Sequence, residues 1–280
     1  MSHSFRNTCV RAVITCSVLL ASQAAIADVT PDPGDYTGLP PGTDLFVMYY
    51  QNPRSDDVYV NRNKVLDNFG LRVDVGLLRY VHFMQWGDFI IDPQIIQPFV
   101  RQKIGSMGVN NSGVGDTIFG GTLWTKADLK TGEHLGFSLF ITAPTGDDKI
   151  SADRWAVDLQ TGYIRKLADK WTMDLVAEVE FYGDQRTTNA KTDPLLKGIA
   201  HLRYHLSDAT HIAASYRHAW GAEQENNGVK SGRKNDDNVT LTWASFIAKQ
   251  WQLQLQYQQD LRVENGPKLD GVQARLLYAF

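Results

Sequence analysis

Eight residues near the end of the chain, Trp251-Gln252-Leu253-Gln254-Leu255-Gln256-Tyr257-Gln258, alternate apolar and polar without exception. The backbone that sends residues i, i+2 and i+4 to one face is the β-strand; a helix would scatter the four glutamines round its circumference. The last stretch repeats the pattern. Val272, Ala274, Leu276, Tyr278 and Phe280 share one face, and Gln273, Arg275, Leu277 and Ala279 share the other. One such stretch fits the edge of a soluble sheet. The same pattern along the whole chain would not, so the rest of the sequence decides.

The alternation recurs. Strands are expected at about 44–50, 69–82, 89–103, 114–126, 135–143, 155–165 and 171–182, and then around Ala200, Ala214, Leu241, Leu255 and Leu276. In 171–182, Trp171, Met173, Leu175, Ala177, Val179 and Phe181 oppose Thr172, Asp174, Glu178, Glu180 and Tyr182. Two features depart from the pattern. Arg79 interrupts the apolar face of Leu71, Val73, Val75 and Leu77, and reads as snorkelling to a boundary. Pro93 and Pro98 each remove a ladder donor from the third strand, which makes it the least regular.

The links between strands alternate in length. Those after odd strands, near 52–68, 104–113, 144–154, 183–197, 221–237 and 262–270, are longer than those after even strands. Transmembrane barrels combine short periplasmic turns with longer outer loops. After the amino-terminal stretch the chain has no run of roughly 20 apolar residues to make a membrane helix. The fold class expected is all-β: a transmembrane antiparallel up-and-down β-barrel of about 12 strands, within a range of 10 to 14. Trp171 and Trp251 open strands at the inner boundary, and Trp220 closes one at the outer.

The amino terminus reads as a secretory signal over 1–27. Arg6 and Arg11 precede the apolar Val18-Leu19-Leu20-Ala21, and Ala25-Ile26-Ala27 supplies a small-residue cleavage site. Cys9 and Cys16, the only cysteines, both lie in it. A mature chain therefore has no disulfide and no thiolate site. The signal carries two arginines and no acid, so its removal takes the net charge from −3 to −5. That argues against a nucleic-acid partner. Residues 28–43 form a Pro/Gly-rich periplasmic lead, either flexible or folded into the barrel mouth, and 44–280 form the barrel.

Several motifs bear on the family. They are Gly113-Val114-Gly115-Asp116, Pro144-Thr145-Gly146-Asp147, the stretch Asp193 to Trp220 with Leu202-Arg203-Tyr204-His205-Leu206-Ser207-Asp208, and the end Leu276-Leu277-Tyr278-Ala279-Phe280. The chain resembles the outer-membrane family named for the meta-pathway of phenol degradation. That resemblance implies a Gram-negative outer-membrane barrel linked to uptake of aromatic or other hydrophobic compounds. Its terminal aromatic strand, with Tyr278 and Phe280, implies a signal read by the outer-membrane assembly machinery. Gly115 and Gly146 read as structural, at tight turns or bends.

The lumen face supplies the candidate site: Asp174, Glu178, Glu180, His201, Arg203, Arg217, Gln254, Gln256 and Arg275. If strands seven and eight form a hairpin, Glu178 and Glu180 are expected opposite Arg203 and His201, with Ser215 and Arg217 beside them. Two readings stand. The charges form a constriction that selects what passes, or they fill a narrow barrel as a salt-bridged network. The main functional reading is a passive channel for small hydrophobic or aromatic solutes. The alternative is a non-transporting structural or interaction barrel with a filled lumen. Membrane lipid and lipopolysaccharide are the surrounding partners. No cofactor or metal is implied, and no nucleotide-binding pattern occurs. Catalysis has only thin support. His205-Leu206-Ser207 has a His–Ser spacing but reads as a turn, and the outer acids Asp147, Asp148, Asp236 and Asp237 have only His218 near them.

Overall fold

The computed structural model describes residues 29–280; the expected secretory signal lies outside them. Twelve strands form a closed antiparallel barrel. They are β1 (Asp44–Ser55), β2 (Leu71–His82), β3 (Phe89–Ile104), β4 (Thr117–Asp128), β5 (Glu133–Ala143), β6 (Ala156–Ala168), β7 (Trp171–Tyr182), β8 (Leu195–His205), β9 (Thr210–Gly221), β10 (Lys234–Ala248), β11 (Trp251–Arg262) and β12 (Asp270–Ala279). Each pairs with its sequence neighbours. The seam is β1 against β12, in register from Leu45 opposite Ala279 to Arg54 opposite Asp270. Below it, Asp44 and Phe280 exchange both backbone hydrogen bonds at 3.0 Å.

Closure is what the lipid demands. Hydrocarbon offers no partner to an unpaired N–H, so a spanning sheet has no tolerable edge. The outward faces agree. Every barrel strand presents large apolar side chains to the outside, among them Phe46, Leu78, Phe137, Leu202, Leu241 and Leu255. An apolar band running round the whole barrel would be intolerable in water. Aromatic stacks mark the end with the short turns: Trp171 on Tyr204 at 4.8 Å, and Trp251 on Tyr278 at 4.7 Å, which in turn stacks on Phe280 at 5.3 Å.

The third strand is continuous despite its prolines. Its ladder with β4 runs from Ile90–Trp124 to Ile96–Ile118, and then a short strand, Val109–Val114, takes over beside Phe99–Ile104. Pro98 stands at that changeover. Its carbonyl accepts the Gly115 N–H at 2.9 Å, so its missing donor faces a place where the ladder is already interrupted. Near Pro93, the Asp92 carboxylate accepts the Thr122 N–H at 2.6 Å and the Trp124 indole N–H at 2.9 Å. Arg79 corrects the sequence reading. Its apolar neighbours Leu71, Val73 and Val75 are buried on the inner face, so Arg79 points into the lumen. There it donates to Gln94 at 2.8 Å and lies 3.5 Å from Asp35.

The two Gly–Asp motifs lie side by side at the outer end. Asp116 is buried and accepts the Gly146 N–H at 2.9 Å and the Ala152 N–H at 2.8 Å. Asp147 accepts the Val114 N–H at 2.8 Å through its carboxylate and donates its own N–H to the Val114 carbonyl at 2.9 Å. Gly115 and Gly146 are structural here for a reason other than a turn. A Cβ on Gly146 would lie 2.8 Å from the Gly115 carbonyl carbon, and one on Gly115 would lie 2.9 Å from Pro98. Elsewhere at this end, Asp153 clasps the next outer loop. Hydrogen bonds from Thr187, with Arg186 beside it, hold its carboxyl below the usual carboxylate range.

Asp116→Ala should orphan two part-buried N–H groups, each costing at most about 1–3 kcal/mol. The expected result is faster protease nicking within residues 144–155, while the barrel keeps its folded, heat-modifiable mobility on gels. Unchanged nicking would show that the carboxylate does not hold this loop.

Candidate functional site

The inner wall carries charge in pairs. On β7 and β8 the register sets Asp174 opposite His201, Thr172 opposite Arg203 and Glu178 opposite Lys197. The expected pairing of Glu178 and Glu180 with Arg203 and His201 is therefore corrected. Lys197 takes their place, 2.5 Å from Glu178 and 4.0 Å from Glu180. The Lys197 and Glu178 side chains are 2% and 0% exposed. Arg203 instead reaches diagonally to Asp174, with its Nε at 3.1 Å and Nη2 at 2.8 Å from one carboxylate oxygen. His201 Nδ1 lies 2.7 Å from Ser215 Oγ, as the β8–β9 register allows.

Residues 29–43 run inside the barrel rather than below it. Asp32 takes Arg275 at 3.2 Å, together with hydrogen bonds from Gln256 at 3.0 Å and Gln273 at 2.9 Å. Asp35 takes Arg275 at 2.6 Å. The Gly34 N–H donates to Asp174 at 2.7 Å. Tyr36 donates to Gln160 at 2.9 Å, lies 2.9 Å from Ser138 Oγ, and sets its ring edge-on to Trp124 at 5.9 Å. Tyr36, Val81, Phe83, Trp124, Ile164 and Val176 form an apolar cluster that fills the periplasmic half of the lumen. The wall is shaped for it. A Cβ on Gly162 would stand 2.0 Å from the Tyr36 ring, so only glycine leaves room for that ring.

Above the lead lies a cavity of about 220 Å³, floored by Val29 to Pro33 and reaching the outer-loop residues Asn265 and Pro267. Its two sides differ. Leu77 on β2, Ile96 on β3 and Ile118 on β4 make an apolar patch beside Arg79, while Lys197, His201, Ser215, Arg217 and Asn238 make a polar one across from it, interleaved with Leu195 and Ile199. The apolar patch continues outward. Leu71, Val73, Val75, Val100 and Ile104 form a buried cluster with Val58 and Phe69 of the first outer loop, and Leu77 packs against it. Leu77 and Val29 also pack against Ile96, Ile118 and Phe140. Apolar packing thus runs along the inner wall from the outer mouth to the lead, covered at the outer end by the first outer loop.

Of the expected lumen residues, the cavity gathers Glu180, His201, Arg217 and Gln256. Arg275 and Asp174 instead hold the lead, and Gln254 is fully buried. Sequence reasoning missed Lys197, Arg79, Tyr36 and the two lead acids. Lys197 was findable, because it shares the period-two face of His201 and Arg203. The enzyme-like patterns do not assemble. His205 Nε2 lies 3.0 Å from Thr172 Oγ1, while Ser207 Oγ accepts the Ala209 N–H at 3.3 Å. On the outward rim Asp237 is shared among Tyr216 at 2.6 Å, His218 at 2.8 Å and Arg262 at 2.9 Å.

Residues 55–276 match the family described as "Putative MetA-pathway of phenol degradation". The crystal structure of an outer membrane channel from Pseudomonas putida F1 superposes with a TM-score of 0.84 at 33% identity, covering 90% of this chain and 100% of that one. The β domain of the Bordetella autotransporter BrkA gives a TM-score of 0.51 at 12% identity, covering 86% of this chain and 100% of that one. A variant of the TodX monoaromatic hydrocarbon channel gives 0.50 at 8%, covering 89% and 91%. These last two share the barrel fold. No curated protein matches the sequence.

Removing one member of a buried ion pair typically costs about 3–5 kcal/mol, because the other charge is left behind. Lys197→Ala should cost that much in urea unfolding of the refolded barrel. Adding Glu178→Ala should recover part of the loss. Two losses that simply add would show that the pair is not coupled.

Proposed function

The chain belongs to the phenol-degradation MetA-pathway family of Gram-negative outer-membrane barrels, and from that premise we propose that it is a passive channel for small hydrophobic or aromatic solutes. The observation that carries this reading is the apolar patch that Leu77, Ile96 and Ile118 on β2 to β4 present to the cavity. A lumen built only to pass water-borne ions would have no use for an apolar inner wall. A lipophilic solute would leave water for this patch and lie against it, at roughly 25 cal/mol per Å² of apolar surface covered. The 33% identity to an outer membrane channel over 90% of this chain supports the same class.

Passage needs the lead to move. Residues 29–43 separate the cavity from the periplasmic mouth, and polar and ionic contacts with β5, β6, β7 and β12 hold them there. We read the lead as a plug whose displacement opens the route. Its fill of the periplasmic half also favours a second reading, a structural barrel that never conducts. The assembly role of Tyr278 and Phe280 and a lipopolysaccharide environment belong to the same proposal. Both residues lie in the outward aromatic stack at the periplasmic boundary.

Deleting residues 29–41 separates the readings. The deletion removes Asp32 and Asp35 and leaves Arg275 and Arg79 facing an emptied lumen. Single-channel conductance in planar bilayers should rise severalfold, with a shift toward anions. Conductance that stays at the level of the full chain would remove the lead from the gating role. No conductance from either protein would favour the filled barrel.

A further inference from the structure

The cationic groups of the lumen are mostly spoken for. Arg275 is held by Asp32 and Asp35, Arg203 by Asp174, and Lys197 by Glu178. Arg217 and, nearer the outer mouth, Lys234 are the exceptions among the described residues of the cavity wall; Arg217 lies deeper, beside the lead. The Arg217 contact is the Thr30 hydroxyl at 3.3 Å, and among the described residues no carboxylate lies within ion-pair distance of Arg217. Acids on the same side are engaged elsewhere. Asp260 accepts from Asn238 and from the Leu269 N–H, and Glu180 from Tyr182. A second group points the same way. His201 is 4% exposed, lines the cavity, and has an Nε2 with no protein partner.

The barrel's geometry puts these groups across from the apolar patch. Arg217 and His201 stand on β9 and β8, while Leu77, Ile96 and Ile118 stand on β2, β3 and β4. In a ring of twelve strands those arcs face each other. The cavity thus has an apolar patch on one side, edged by Arg79, which is engaged with Gln94 and Asp35, and an unpaired guanidinium on the other. A guanidinium presents a planar fork that matches a carboxylate. About 220 Å³ exceeds the roughly 150 Å³ of an apolar cavity known to hold benzene.

Resting on the channel reading above, we infer that this cavity is a binding station for a single-ring aromatic carboxylate. The ring lies on Leu77, Ile96 and Ile118, and the carboxylate engages Arg217, with His201 as a neighbouring polar contact. The station makes the channel selective for aromatic acids over neutral aromatics of the same size.

The test uses the refolded mature protein, with benzoate, benzyl alcohol and benzylamine as probes in calorimetric titration. Benzoate should bind at least about tenfold more tightly than benzyl alcohol, the scale of one charge-assisted pair. Arg217→Met should erase that preference and leave benzyl alcohol unchanged. Arg217→Lys, which keeps the charge without the fork, should retain part of it and shows that the site still folds. Equal binding of benzoate and benzyl alcohol would overturn the inference, as would benzoate binding indifferent to Arg217→Met. Liposome permeation by benzyl alcohol is measured alongside. Permeation without a benzoate preference sinks the binding station and leaves the channel. A benzoate preference without any permeation sinks the channel and leaves the binding site.

Discussion

Hydrogen bonding between the first and last strands is the constraint on which everything else depends. A sheet in hydrocarbon has no water to satisfy an edge, so β1 must find β12 across the whole length of the chain. Once the ring is closed, its two faces answer to different solvents. The outside must be apolar all round. The inside is free to be whatever the lumen requires, and in this protein apolar side chains gather on β2 to β4 around a few polar groups such as Arg79, while most ion pairs gather on β7, β8 and β12.

That division explains how the interior is filled. Charges taken out of water are costly unless they meet partners. Here the barrel wall and the lead supply partners to one another: Arg275 with Asp32 and Asp35, Arg203 and Gly34 with Asp174, Tyr36 with Gln160 and Ser138. The lead contributes acids where the wall contributes bases. The cavity begins where this matching stops, and Arg217 sits at the limit. Its position at the end of the matched network leaves it with the Thr30 hydroxyl in place of a carboxylate.

What the sequence made legible was whatever a period of two can encode. The glutamine row of β11, the outward face of β7 and the aromatic end of β12 all follow from alternation, and the link lengths orient the barrel. Register was less accessible. The link between β7 and β8 is the long outer segment 183–194, so no tight turn fixes which residue of one strand meets which of the other. Glu178 therefore met Lys197 rather than Arg203. Arg79 was misread for a related reason. Alternation separates two faces without saying which is inside, and on β2 the apolar one is. For residues 29–43, prolines and glycines excluded regular structure but carried no information about where an irregular segment would lie.

The lead's position ties it to the far end of the chain in time as well as in space. Its contact with Arg275 spans 240 residues, and those with Asp174 and Gln160 span 140 and 124. Such contacts form late, because the intervening chain must be ordered first. Asp32 and Asp35 can meet Arg275 only when β12 is in place. A truncated or stalled barrel therefore cannot complete the ionic lock that a finished one has. The same segment that fills the lumen also records that the last strand has arrived.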